Sequence, residues 1–130
     1  MKQFVMAEWQ RGRRSLASAR QLTETDPDSA ASRAYYAAFH ALTACFALRG
    51  EEFSKHSAIR AALHRDLVQA GLLSKETGRA FDFLLDLREA GDYGGIARVS
   101  ADSARLAVQK AEAFLGAIGE LCPELPGESL

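Results

Sequence analysis

The sequence predicts an all-α protein, an up-and-down bundle of four to five helices. Two observations carry this reading. Five stretches repeat apolar residues at three- and four-residue spacing, separated by breaks marked with Gly, Pro or a polar loop. No alternating β-branched run bounded by turns is present, so no strand is expected. At 130 residues the chain fits one domain with a real hydrophobic core, and the short connections favour antiparallel neighbours. Residues 1–122 read as that domain. Residues 123–130, which hold two of the three prolines, read as a loosely ordered tail.

The first helix is expected over Lys2–Thr23, with Val5, Trp9, Gly12, Leu16 and Ala19 on one side and a basic band of Arg11, Arg13, Arg14 and Arg20 on the solvated side. Asp26 is a suitable N-cap and Pro27 a suitable first residue for the second helix, which runs to about Leu48 before Gly50 stops it. A third helix is expected from Ser54 or Lys55 to Ala70, with Ile59, Leu63 and Leu67 inward and Gly71 at its end. Ser74 caps a fourth, whose stripe is Phe81, Leu84 and Leu85, with Arg88 next on the same stripe. An arginine there must find an acceptor or reach solvent along its stem. The run Gly91-Asp92-Tyr93-Gly94-Gly95 reads as a flexible turn, and Ser100 caps a fifth helix lined by Val108, Ala111, Leu115 and Ile118.

The second helix is the most informative stretch. Tyr35, Phe39, Leu42 and Phe46 (i, i+4, i+7, i+11) form a core stripe, while Arg33, Tyr36 and His40 (i, i+3, i+7) form a separate polar-aromatic one. A helix that only filled a core would not need the second stripe.

Composition narrows the function. A net charge of −1 gives no global positive field for nucleic acid, leaving only a local patch. The start of the chain shows no apolar run with a cleavage signature, and no stretch is long enough to span a bilayer, so a cytoplasmic protein with no membrane association is expected. Cys45 and Cys122 read as free thiols, Cys45 as a small buried hydrophobe. No His-x-x-x-His or Cys-x-x-Cys occurs, so neither a metal site nor a cofactor is expected. No Walker loop or nucleophile elbow is present. The carboxylates Asp82, Asp86, Glu89 and Asp92 read as groups that solvate the fourth helix and its end. What remains is Arg33 and His40 on one helical face, His56 beyond it, and Arg88, Asp92 and Tyr93. In RNA transesterification a histidine can move the 2′-OH or leaving-group proton and an arginine can stabilise the charged phosphorane. From spacing alone the favoured reading is a purely structural network, with Arg33 paired to an acidic residue such as Asp92 and His40 and Tyr36 hydrogen-bonded across the bundle.

Three blocks, Ser32-Arg33-Ala34-Tyr35-Tyr36-Ala37-Ala38-Phe39-His40, Lys55-His56-Ser57 and Leu87-Arg88-Glu89-Ala90-Gly91-Asp92-Tyr93, resemble the HEPN superfamily, most of all its small stand-alone proteins of the UPF0332 type. The resemblance covers about Glu8 to Leu121. It implies a helical bundle that is usually a homodimer, often partnered by a minimal nucleotidyltransferase in toxin–antitoxin or two-component nucleotidyltransferase systems, and in many members a metal-independent RNase. The family's catalytic pattern is an arginine and a polar residue followed a few residues later by histidine in a late helix. Here no histidine follows Arg88, so the late motif is incomplete; the spacing recurs instead from Arg33 to His40. Tyr93 resembles the tyrosine that closes the family motif. The expectation is therefore a dimeric cleft that binds a nucleotide, RNA or a nucleotidyltransferase partner. Tyr36, His56, Arg88, Asp92 and Tyr93 would be the ligand contacts, and His40 and Arg33 the residues for any catalysis. The alternatives are an endoribonuclease toxin using Arg/His acid–base chemistry and a structural dimer subunit.

Overall fold

A computed structural model describes residues 2–93 and 98–127; the side chains of Asp92 and Tyr93 lie outside this description. The chain forms α1 (Lys2–Leu22), α2 (Pro27–Leu48), α3 (His56–Ala62) continued by a π-helical segment (Leu63–Val68), α4 (Lys75–Tyr93) and α5 (Ala101–Leu121). No strand occurs among the described residues. The all-α bundle is the expected architecture.

The helix starts follow their polar caps. Asp26 accepts from Ser29 N, with Pro27 opening α2. Ser74 Oγ accepts from Thr77 N, and Ser100 Oγ accepts from Ser103 N, both at 3.0 Å. After α2 and after the π-helical segment the chain turns at Gly50 and Gly71, whose φ values of 82° and 83° only glycine adopts without strain.

Two elements differ from expectation. The third helix widens after Ala62: Gln69 N bonds to His64 O and Leu72 N to Leu67 O, both at 2.8 Å. The wider turn keeps Leu63 and Leu67 fully buried while His64 turns toward α4. The fourth helix does not break at Gly91 but runs on through Tyr93. Gly91 lies against the start of α2, where a Cβ would stand 3.2 Å from Val99 Cγ2 and 3.4 Å from Asp28 O, so its lack of a side chain serves close packing. Gly94 and Gly95 fall outside the described residues. Asp28 then receives the returning chain, accepting from Val99 N at 2.8 Å.

The core centres on α2, with Tyr35, Leu42, Cys45 and Phe46 fully buried among side chains from α1, α4 and α5. The closest packing is α1 on α2. Gly12 permits it, since a Cβ there would lie 2.9 Å from Ala37 O and 3.3 Å from Ala41 N. After α5, Leu125 is buried in the core, while Trp9 Nε1 donates to Pro126 O at 2.9 Å and Arg13 Nη1 to Gly127 O at 2.7 Å. The segment read from sequence as a loose tail thus makes backbone contacts with α1 as far as Gly127. No helix among the described residues is long and apolar enough to cross a membrane.

Candidate functional site

The site forms where the polar stripe of α2 meets α3 and α4. Tyr36 is its hub: Arg88 Nη2 donates to the Tyr36 hydroxyl at 3.0 Å, and the Arg88 guanidinium lies 5.2 Å from the Tyr36 ring centre and 5.7 Å from that of Tyr35. The Tyr36 hydroxyl is one acceptor for an arginine that stands on the inward stripe of α4. The Tyr36 ring stands between two histidines, 6.1 Å from the His40 ring and 6.0 Å from the His56 ring. Three blocks distant in sequence therefore meet within one half-buried surface.

Each histidine has one ring nitrogen tied down from behind. His40 Nδ1 bonds to Glu8 Oε1 at 2.9 Å, and Arg11 Nη1 donates to the other oxygen of Glu8, also at 2.9 Å. Glu8 is the buried charged residue of α1, only 4% exposed. With Nδ1–H donating to the carboxylate, His40 keeps Nε2 as its second functional atom. His56 Nδ1 bonds to the Tyr35 hydroxyl at 2.6 Å. Burial, then the positive charges of Arg88 and His40, hold His56 below the ordinary imidazole range, so the ring is neutral near pH 7. Burial likewise pushes the Tyr35 hydroxyl well above the ordinary phenol range. The Tyr35 O–H has no other hydrogen bond among the described residues, so donating to Nδ1 leaves no buried proton stranded. That fixes the tautomer with a proton on Nε2. His56 is also stacked on Phe39, centroids 4.4 Å apart and planes 14° from parallel.

Next to this surface, a groove of about 410 Å³ opens between α3 and α4, lined by His56, Arg60, His64, Arg88 and Glu89. At its far end Asp82 Oδ1 accepts from Arg60 Nε at 2.8 Å and pairs with His64 Nε2 at 3.0 Å. Asp82 is therefore an ion-pair partner and not only a solvating carboxylate. Gly78 makes room for the imidazole, as a Cβ there would stand 2.8 Å from His64 Cε1.

Of the residues singled out from sequence, Tyr36, His40, His56 and Arg88 come together. Arg33 lies on the same side of α2 but is exposed, and it makes no hydrogen bond or ion pair among the described residues. The side chains of Asp92 and Tyr93 lie outside the described residues. Residues missed from sequence are Glu8, the Tyr35 hydroxyl, Phe39, and the Arg60–Asp82–His64 group. Glu8 carried a legible signal: Val5, Glu8, Gly12 and Ala19 share one helical face, and a carboxylate among small and apolar residues there needs a partner. Their spacing assigns Tyr35 and Phe39 to the core alone, yet the buried Tyr35 presents its hydroxyl to the site and Phe39 is only half buried.

A family model for the HEPN domain matches residues 6–121, and the chain belongs to the HEPN family. Among individual proteins, a UPF0332 protein of Thermotoga maritima is 34% identical over 126 residues, covering 95% of this chain and 96% of that one.

Proposed function

We propose that this HEPN-family chain is a binding module whose α2–α3–α4 surface takes a nucleotide or a short RNA segment. The observation that supports it most is the placement of Tyr36, bonded to Arg88 and flanked by His40 and His56. Arg88 offers a phosphate a guanidinium already oriented by two aromatic rings. His56 offers an Nε2–H donor, and the half-buried faces of Tyr36 and Phe39 offer stacking for a base. In this reading the protein works as a homodimer beside a minimal nucleotidyltransferase, in a toxin–antitoxin or two-component nucleotidyltransferase system, with Asp92 and Tyr93 close to the ligand. Anisotropy titration of a short labelled oligoribonucleotide tests it. Tyr36→Ala, His40→Ala and Arg88→Gln should each weaken binding about tenfold or more. Unchanged binding in all three, with their folding intact, would remove the site from consideration.

A second reading is favoured by the paired supports behind the two histidines. An Nε2 on His40 backed by the Glu8 carboxylate, an Nε2–H donor on His56 and the Arg88 guanidinium are parts a metal-independent ribonuclease could use: a group that can take the 2′-OH proton, a hydrogen-bond donor to a phosphate oxygen, and a phosphorane stabiliser. Arg33, exposed on the same side of α2, would then hold a neighbouring phosphate. RNA incubated with wild-type, His40→Ala and His56→Ala protein separates the readings. Cleavage lost in both variants supports catalysis, whereas intact RNA with the wild type leaves binding alone.

A further inference from the structure

Cys45 and Cys122 stand seventy-seven residues apart in the chain, yet their sulfurs lie 3.0 Å from each other in the core. Both are free thiols and both are buried, Cys45 completely and Cys122 at 6% exposure. A disulfide needs about 2.05 Å between sulfurs, so closure asks for a movement of about 1 Å. The two positions differ in how readily they can supply it. Cys45 sits inside the hydrogen-bonded ladder of α2. Cys122 is the C-cap of α5, already outside helical dihedrals at φ −121° and ψ 77°. It is also the last residue before the segment that leads to Pro126 and Gly127. A shift of Cys122 toward α2 therefore strains at most the terminal bond from its own N–H to Ile118 O and leaves the rest of the α5 ladder in place.

We propose that Cys45 and Cys122 are an oxidative modification site, closing to a disulfide that staples the end of α5 to α2 when the protein meets a peroxide. The inference is independent of the ligand surface described above. Cys122 is the sulfur that reacts first, because it is the more exposed. The hydrogen bond between the two sulfurs also holds Cys122 below the usual thiol range while it and burial push Cys45 up. The Cys122 thiolate attacks one peroxide oxygen; the O–O bond breaks, hydroxide leaves and the sulfur becomes a sulfenic acid. The Cys45 sulfur then attacks the Cys122 sulfur. The S–S bond forms, the S–O bond breaks, and the departing hydroxide takes the Cys45 proton. Two thiols are oxidised, one peroxide is reduced, and the thiol protons and peroxide oxygens leave as water. The cross-link closes a long loop and fixes the root of the strap whose carbonyls receive Trp9 and Arg13 of α1.

The test treats the full chain with a small excess of hydrogen peroxide and follows intact mass under non-reducing conditions together with thermal melting. The expected product is a monomer lighter by two hydrogen atoms, melting about 5–10 °C higher, and returned to the starting mass and midpoint by dithiothreitol. Cys45→Ala should instead gain oxygen at Cys122, and Cys122→Ala should stay unmodified at Cys45. Both variants retain a small apolar side chain in the core, and melting curves before oxidation confirm that they fold. Oxygen addition to the wild type without loss of two hydrogens, a cross-link between chains, or no reaction would overturn the proposal.

Discussion

The two sides of α2 are built on opposite plans. Toward α1, Gly12 meets Ala37 and Ala41 and the backbones nearly touch. The polar group on this side is Glu8, enclosed and spoken for by His40 and Arg11. Toward α3 and α4 the spacing is set by rings: Tyr35, Tyr36, Phe39 and His56 fill the gap, and the polar atoms of His56 and Arg88 reach a groove. The contrast teaches a division of labour. Small residues allow no adjustment, so the α1 side sets the position of His40 from behind. Aromatic rings hold the other side apart by side chains alone, which leaves edges, hydroxyls and ring nitrogens available to a ligand. Tightness behind a site and openness in front of it are what preorganised recognition needs.

Paired glycine substitutions should break this contrast most sharply. Gly12→Ala puts a methyl group against backbone atoms that cannot move without shifting α1, and should cost about 1–3 kcal/mol in urea unfolding. Gly78→Ala meets the end of the His64 side chain and Val68 Cγ2, groups that can rotate away. The strain is offset by about 0.5–1 kcal/mol of improved helix propensity, so stability should barely change while His64 is pushed off Asp82. Equal losses for both variants would mean that Gly12 meets its neighbours no more rigidly than Gly78 meets the π-helical segment.

Glu8→Ala comes next in size. It strands His40 Nδ1 without its acceptor, at a cost on the order of 1–3 kcal/mol, while the exposed Arg11 turns to water; Glu8→Gln keeps one acceptor and should lose less. Chemical denaturation of the two variants, beside the ring signals of His40, checks both statements. On the open side, Tyr35→Phe removes a single buried hydroxyl and should cost about 1 kcal/mol. It also frees the His56 tautomer, visible as altered nitrogen shifts of that imidazole alone.

Acid should weaken the fold through His56 on the open side. His56 titrates lower in the fold than in the unfolded chain, because burial and then Arg88 and His40 oppose its charge. The unfolded state therefore binds the proton more readily. The contribution of His56 is complete above the unfolded value of about 6.5 and declines as pH falls through it toward the lower folded value. Melting temperatures between neutral and mildly acidic pH should show this decline in the wild type and a shallower one in His56→Gln. Parallel curves would show that His56 is not held neutral by its surroundings.

Much of the architecture was legible because it rests on local chemistry. The five helices follow apolar spacing, and three of their starts follow Asp26, Ser74 and Ser100. Tyr36, His40, His56 and Arg88 were legible as polar groups placed on or beside inward-facing stripes. Other features depend on facts that no spacing carries. Tyr35 belongs to core and site at once because its ring is buried and its hydroxyl reaches His56. The pairing of His64 with Asp82 depends on a π-helical turn that rotates its side chain away from the α-helical position, bringing it to the carboxylate that Arg60 also reaches. The anchoring of the segment after α5 uses the backbone carbonyls of Pro126 and Gly127, which no side-chain pattern announces. The meeting of Cys45 and Cys122 is a property of tertiary packing between α2 and the end of α5.

The most direct test of the binding surface uses the three histidines as reporters. Their imidazole signals can be followed by NMR while a short oligoribonucleotide is added, first to the wild type and then to Arg88→Gln. If the surface built on Tyr36 takes the ligand, the His40 and His56 signals shift together along one saturable curve, and the Arg88→Gln protein needs about tenfold more ligand to reach the same shift. Signals of His40 and His56 that stay unmoved at saturating oligoribonucleotide would contradict the account.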